Sequence, residues 1–408
     1  MRSIAKLLLL GFAFAIPWEF SMELPEPFGP VARIAGILLL LAAIPAVLRV
    51  GRMRRPGAMQ WVVLALFIWF CCSYLWTIDQ AATLEKMRAY FQEMMTVWLV
   101  WELAESPDDL RWLLRAYVAG SWVLAVVTLA DFASPEAVAA GQIRFFAEGL
   151  DPNDTARFLD IGFPFAALLV DSETRWPGRL LALGYLPLGI FAVLLTASRG
   201  GFIAALIALA GCVALVVWSS PRRLLAGGLA LPALGAAIWV IVPPETFERL
   251  ATITEQLQGG NLNDRVNIWD VGWHAFTRAP FLGTGAGSFV TAGGLAPIDT
   301  AHNTALSIVV GGGLCALFLF VSVLVLAARA LLRLRGSLFV AMTTALAVWA
   351  IESLTASVEE NRTTWLLFAL IALAGRLDEE NGEALEARFP ARARLVRSHG
   401  SDLAVPVD

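Results

Sequence analysis

Apolar runs of near bilayer-crossing length recur from one end of this chain to the other. A helix crossing about 30 Å of hydrocarbon needs roughly 20 mostly apolar residues. By that ruler the chain holds about twelve candidate spans, centred near Leu10, Leu39, Ala65, Val97, Ala125, Phe165, Leu188, Leu209, Leu234, Leu314, Leu346 and Ala369. The first, sixth and twelfth are short, as tilted or broken helices would be. A mean hydropathy of +0.69 and 58% hydrophobic residues exclude an ordinary soluble domain. The fold expected is an all-α polytopic membrane protein.

Arginine and lysine placement orients the spans. With the N-terminus inside, the cytoplasmic turns take residues such as Arg2, Lys6, Arg54, Arg111, Arg175, Arg222 and Arg333, and the opposite side takes Arg33, Lys86, Arg88, Arg144, Arg157, Arg199, Arg249, Arg265, Arg278 and Arg362. The split is about 20 to 10, which predicts both termini in the cytoplasm. Residues 1–377 then form one transmembrane domain, and residues 378–408, charged and containing Pro390, read as a poorly ordered cytoplasmic tail. Arg2, Lys6 and Ala13-Phe14-Ala15 mimic a signal peptide, but the short apolar run and Pro17 favour an uncleaved first span. The four cysteines all fall in apolar runs and read as small buried residues.

On this topology residues 242–301 form an exterior loop, cut off from cytosolic ATP and nucleotide sugars. Asn263 is positioned to cap a helix ending at Pro280, on which Arg265, Trp269 and Trp273 recur every four residues. Tryptophan beside apolar neighbours suits a helix lying on the membrane surface. Gly283-Thr284-Gly285-Ala286-Gly287 follows, and without a preceding strand it reads as a tight turn allowing close backbone approach. His302, one of three histidines, falls at the head of the tenth span with Asp299 or Thr300 as the expected cap. A helix N-terminus disfavours imidazolium and keeps the ring able to accept a proton. His274 reads as solvent-exposed, and His399 falls in the tail.

Arg199, in Thr196-Ala197-Ser198-Arg199-Gly200-Gly201, lies between two apolar runs at the exterior face. Charge so placed calls for an anionic partner, and a guanidinium suits phosphate through its bidentate fork. Asp151-Pro152-Asn153-Asp154 reads as a turn and helix cap, and Arg157 is spaced to pair with Asp160. No Asp-x-Asp motif or dense exterior carboxylate cluster is present to hold a metal ion, so arginines are expected to neutralise any bound anion.

In order, sidedness and spacing these motifs resemble the O-antigen ligase and O-antigen polymerase superfamily of bacterial membrane glycosyltransferases. They run from Asp151-Pro152-Asn153 through Thr196-Ala197-Ser198-Arg199-Gly200, Arg265 with Trp269, and Pro280 with Gly283-x-Gly285-x-Gly287, to Ala301-His302-Asn303 and Gly311-Gly312-Gly313. The resemblance spans roughly residues 30 to 375. It implies a GT-C-like helical fold in the bacterial inner membrane with a periplasmic active site. It also implies a glycan donor on undecaprenyl diphosphate, a lipid A–core or glycan acceptor, inverting transfer without metal or cofactor, and no nucleic-acid partner. Carried over by position, Arg199 and Arg265 would hold the diphosphate, His302 would activate the acceptor hydroxyl, and Asn303 would help position His302. Asn153, Arg157, Trp269 and Gly285 would contribute to substrate binding. Ligase and polymerase share the motifs, with the ligase reading preferred. A carrier or flippase for lipid-linked glycans is the alternative of another class. It would call for mid-membrane charge and paired broken helices, whereas here the polar groups collect at one face.

Overall fold

The computed structural model describes residues 2–25, 29–172, 175–219, 222–260, 264–296 and 299–389. The chain is helical apart from a two-residue antiparallel pairing of Glu23–Leu24 with Gly29–Pro30. The long helices are α1 (Arg2–Ala15), α2 (Val31–Val50), α3 (Ala58–Cys72), α4 (Gln80–Leu103) and α5 (Pro107–Phe132). The short α6 (Pro135–Ala139) leads to α7 (Pro152–Ser172), α8 (Trp176–Leu195), α9 (Arg199–Ser219) and α10 (Arg222–Ile241). Four small helices follow: α11 (Pro244–Ala251), α12 (Ile253–Gln258), α13 (Arg265–Arg278) and α14 (Phe289–Gly293). The chain returns through α15 (Thr304–Leu331), α16 (Gly336–Ser353) and α17 (Arg362–Arg388).

Every expected span centre falls on one of the long helices. Among the described residues, however, only seven helices are long and apolar enough to cross a membrane by composition: α2, α3, α5, α8, α9, α15 and α16. The protein is thus an all-α polytopic membrane protein with fewer composition-defined spans than expected. For α7 and α17 the reason lies in packing. α7 is buried along nearly its whole length against α5, α8, α9 and α16, and α17 is buried from Thr363 to Leu377 against α4, α5 and α15. A helix enclosed by other helices need not be apolar all round, and α7 carries Asp154, Arg157, Asp160 and Asp171. The lipid-facing role passes to uniformly apolar helices such as α2, of whose span only 22% is buried. Of the cysteines, Cys212 is buried as expected, whereas Cys72 is exposed.

Local sequence sets the helix starts. Ser106 and Asp109 form a capping box ahead of Pro107, and Asp79 accepts the Ala82 N–H at the head of α4. At α7 the Asp151 carboxylate accepts the N–H groups of Asn153 and Asp154 at 2.6 and 3.0 Å. α17 does not stop at the expected tail boundary. After a break at Asn381 it continues to Arg388, with Leu385 and Phe389 buried and Arg388 paired to Asp108. Apolar residues within the charged run dock it; residues 390–408 and His399 lie outside the described residues.

Interior ion pairs sort to two ends of the bundle. One end gathers Arg2, Lys6, Arg54, Glu102, Glu105, Asp109 and Glu380. The other gathers Glu19 with Arg362, Lys86 with Glu360, and Arg157 with Asp154. These are the two sets that the sequence assigns to opposite sides.

Candidate functional site

The second end holds a cavity of about 470 Å³ whose lining includes Asn153, Arg157, Arg265 and His302, so four expected site residues meet there. Asn153 and Arg157 come from the first turns of α7. Asn153 Oδ1 accepts from Ser198 Oγ at 2.8 Å and from Arg144 Nη2 at 3.3 Å, which ties the head of α7 to the turn before Arg199. Arg157 pairs with Asp154, one turn back toward the pocket, and not with Asp160 as its spacing suggested. Asp160 instead turns into the helix interior, where neither carboxylate oxygen has a hydrogen-bond partner.

Arg265 opens α13. Asn263, the expected cap, lies outside the described residues, and the residue before the helix is Asp264. Among the described residues the Arg265 side chain makes no hydrogen bond and no ion pair. Burial holds its pKa below the ordinary arginine value, and the nearby Arg199 cation adds to this while Asp151 opposes it.

His302 does not lie in the first turn of its helix. It precedes the true N-cap, Asn303, whose Oδ1 accepts the Leu306 N–H at 2.9 Å and whose Nδ2 donates to Leu354 O at 3.4 Å. Asn303 therefore caps α15 and ties it to the end of α16 rather than contacting the imidazole, and Asp299 and Thr300 are not the cap. The His302 ring has no hydrogen-bond partner among the described residues. Its pKa is lowered chiefly by burial and next by the Arg265 cation, so it is neutral at neutral pH and free to accept a proton.

Backbone strain marks the same residues. Ala197 (φ 48), Asp264 (φ 66) and His302 (φ 45) are the non-glycine residues with positive φ among those described. Such conformations are costly for side-chain-bearing residues and concentrate at functional sites. Each falls at or just before a candidate catalytic residue.

Arg199 begins α9 and does not line the main cavity. Its Nη1 donates to Thr252 Oγ1 at 3.3 Å, and its charge reaches Arg144, Arg249 and Arg265. Sequence reasoning missed Arg144 and Arg249 as site residues. Arg144 Nε donates to Thr196 O at 3.1 Å and Arg249 Nε to Ala197 O at 3.0 Å, so both brace the strained turn. Burial pushes the Arg144 pKa down to about 10, with Arg249, Arg199 and Arg265 contributing in that order. No local motif flags either residue; only their sidedness does.

Trp269 and Gly285 act at one remove. Trp269 Nε1 donates to Ala301 O at 3.0 Å, fixing the residue before His302. The buried stripe of α13 is Ile268, Gly272 and Ala275, packed on Phe289, Ala301 and Val310, while Trp273 is exposed. The expected Arg265–Trp269–Trp273 face is therefore not a continuous contact face: small residues one turn apart let α13 sit against α14 and α15. Trp273 stacks obliquely on Phe276 instead, and His274 is exposed as expected.

Gly285, at φ 108, lies outside the cavity lining. A Cβ there would stand 2.0 Å from Thr77 Oγ1. Its N–H donates to Gly311 O at 2.9 Å, the Thr284 N–H to Val310 O at 2.8 Å, and the Leu314 N–H to Pro280 O at 2.8 Å. These bonds fill a break in α15 at Gly313 (φ 68, ψ −169). The glycine-rich turn is thus a plug that satisfies the carbonyls a broken helix leaves open. Among the described residues no set of three His, Cys, Asp or Glu side chains is grouped to take a metal ion.

Chemically, the cavity brings together the Arg265 guanidinium and the neutral His302 imidazole, neither hydrogen-bonded among the described residues, with Arg157 in its lining and Arg144, Arg199 and Arg249 beyond it. It is equipped to hold an anion and to accept a proton beside it. No curated protein matches the chain. Residues 184–321, which carry Arg199, Arg265, Trp269, Gly285, His302 and Asn303, match the family described as O-Antigen ligase.

Proposed function

We propose that the protein is an inverting, metal-independent glycosyltransferase that moves a glycan from undecaprenyl diphosphate to an acceptor hydroxyl. As an O-antigen ligase, it would use lipid A–core as acceptor. The observation that carries this reading is one cavity lined by the Arg265 guanidinium and the His302 ring, neither with a hydrogen-bond partner among the described residues. The site end would face the periplasm of the bacterial inner membrane, with both termini in the cytoplasm, in keeping with the arginine distribution.

The diphosphate of the donor sits on Arg265, with Arg157 beside it and Arg199, Arg144 and Arg249 raising the positive potential around it. His302 takes the proton from the acceptor hydroxyl as that oxygen attacks the anomeric carbon. The carbon–oxygen bond to phosphate breaks, its electron pair leaves with the diphosphate, and the anomeric centre inverts. The guanidiniums stabilise the charge that develops on the leaving group, the kind of stabilisation that preorganised donors supply best in a partly desolvated site. Arginines do here what a metal ion does in other diphosphate enzymes. The energy comes from the donor itself, so no nucleotide is consumed.

Deleting the gene and measuring the lipid-linked glycan that accumulates tests the reading. Long polymers stranded on the carrier are expected for a ligase. Single repeat units would assign chain extension, a polymerase, to the same chemistry. No accumulation would overturn the glycosyltransferase reading and favour a carrier.

A further inference from the structure

Behind the main cavity lies a second, small one of about 30 Å³, with room for water. Asn153, Arg157, Arg265 and Thr355 line both, so the two guanidiniums stand in the wall between them. The far side of that wall is Glu352, from the last turn of α16, which lines the small cavity alone. Glu352 is 4% exposed and Asp160, on α7 packed against α16, is 0% exposed. Among the described residues none of their four carboxylate oxygens has a hydrogen-bond partner, and neither does Arg157 Nε. The groups facing the pair are Arg157, Tyr117 and Tyr185, with Thr363 beside Tyr117.

Two adjacent carboxylates buried without donors cannot both carry charge, because each desolvates and repels the other. One charge between them is favoured, since the Arg157 cation lies within reach. We propose that Asp160 and Glu352 share one proton and present a single buried negative charge behind the arginine wall, acting as positioning residues that limit how tightly the site holds a diphosphate. The inference rests on the anion-binding role of the cavity given above. Its physical sense is turnover: an enzyme whose arginines grip a diphosphate must also release it, and a counter-charge behind the guanidiniums offsets part of their field.

The sharing predicts a specific non-additivity. Either neutral variant alone, Asp160→Asn or Glu352→Gln, leaves the other carboxylate ionised, so the charge behind the wall survives. Only the double variant removes it. The test measures binding of inorganic pyrophosphate to the purified full chain in lipid nanodiscs, together with glycan transfer and the infrared carbonyl band of protonated carboxyls. Each single variant is expected to change the pyrophosphate Kd less than about threefold and to lose one carboxyl equivalent of the infrared band. The double variant is expected to bind pyrophosphate at least about tenfold tighter, with lower kcat and lower donor KM. A double variant whose affinity equals that of the wild type would overturn the proposal, as would an undiminished carbonyl band in both single variants. The band is read on the single variants, so the proposal stays testable if the double variant does not fold. Wild-type protein that does not bind pyrophosphate at all would instead remove the anion-site reading on which the proposal depends.

Discussion

The two ends of the helix bundle are both rich in charge, and they use it differently. At one end cations are matched to carboxylates. Arg2 meets Glu105 at 2.8 Å, Lys6 meets Glu105 and Asp109 at 3.0 and 2.9 Å, and Arg54 meets Glu380 at 2.9 Å. At the other end Arg144 and Arg249 are committed to backbone carbonyls, and Arg265 makes no hydrogen bond or ion pair among the described residues. Around the cavity Arg144, Arg199, Arg249 and Arg265 lie close enough to depress one another's hold on the proton, and an anion bound there would relieve that repulsion. Charge that is paired holds helices in place; charge that is left over defines a binding site.

Removing a left-over group should therefore be costly to function and cheap to stability. His302→Ala is expected to lower glycan transfer by about 10²–10⁴-fold, and Arg265→Ala by about 10²–10³-fold. Thermal unfolding should stay near that of the wild type in both, as measured in detergent. A comparable loss from Lys6→Ala, at the paired end, would erase the distinction between the two ends. A second effect concerns the plug: Gly285→Ala is expected to destabilise the fold by about 1–3 kcal/mol, from strain at its backbone angle alone, and more from the clash with Thr77. Wild-type expression and melting of that variant would show that the plug is not needed.

The pH profile sharpens the comparison further. The imidazole of His302 must be neutral to act, and its pKa lies below the ordinary value of about 6.5. Activity is then full above that pKa and is lost as pH falls through it. Because the Arg265 cation is one cause of the lowering, the residual activity of Arg265→Gln should titrate at higher pH than the wild type. An unmoved inflection would separate the two groups electrostatically. Lys6→Ala, by contrast, should cost about 0–1 kcal/mol of stability, the ordinary value of a partly exposed pair, with transfer rates unchanged. A small effect of opposite sign on stability is expected from Ala197→Gly. Relief of the left-handed residue is worth about 1 kcal/mol, so a slightly raised melting temperature should accompany a modest loss of turnover as the turn before Arg199 loosens.

What the sequence revealed of this molecule depended on whether the information was local. Span centres were legible because hydropathy is summed over consecutive residues, and each fell on a helix. α7 and α17 were short as apolar runs for a reason visible only after folding: their charges are enclosed by neighbouring helices. Arg199, Arg265 and His302 could be found because they sit in short motifs at one face. Arg144 and Arg249 have no motif, and it is the fold that turns them onto the carbonyls of Thr196 and Ala197. Asn303 carried its capping signal openly, as an asparagine immediately before an apolar helix. Its role was obscured because His302 beside it drew the reading toward catalysis. The three glycines at Gly311-Gly312-Gly313 were recognisable as a pattern but not as a break, since a break is stable only with a donor loop from elsewhere in the chain to fill it.

That break has a mechanical consequence. No helical hydrogen bond ties Leu314 to Val310, so the stub of α15 before Gly313 and the long apolar shaft after it are linked through the loop as well as through the chain, the Leu314 N–H turning to Pro280 O. The stub is clasped to the loop by the bonds from Thr284 and Gly285, and the loop reaches His302 through the contact of Trp269 with Ala301. The shaft is held by the same loop, through the Leu314 N–H on Pro280 O, so imidazole, loop, stub and shaft are joined. A displacement of the shaft is then passed to the loop that fixes His302, which couples the reacting groups to the helix set in lipid.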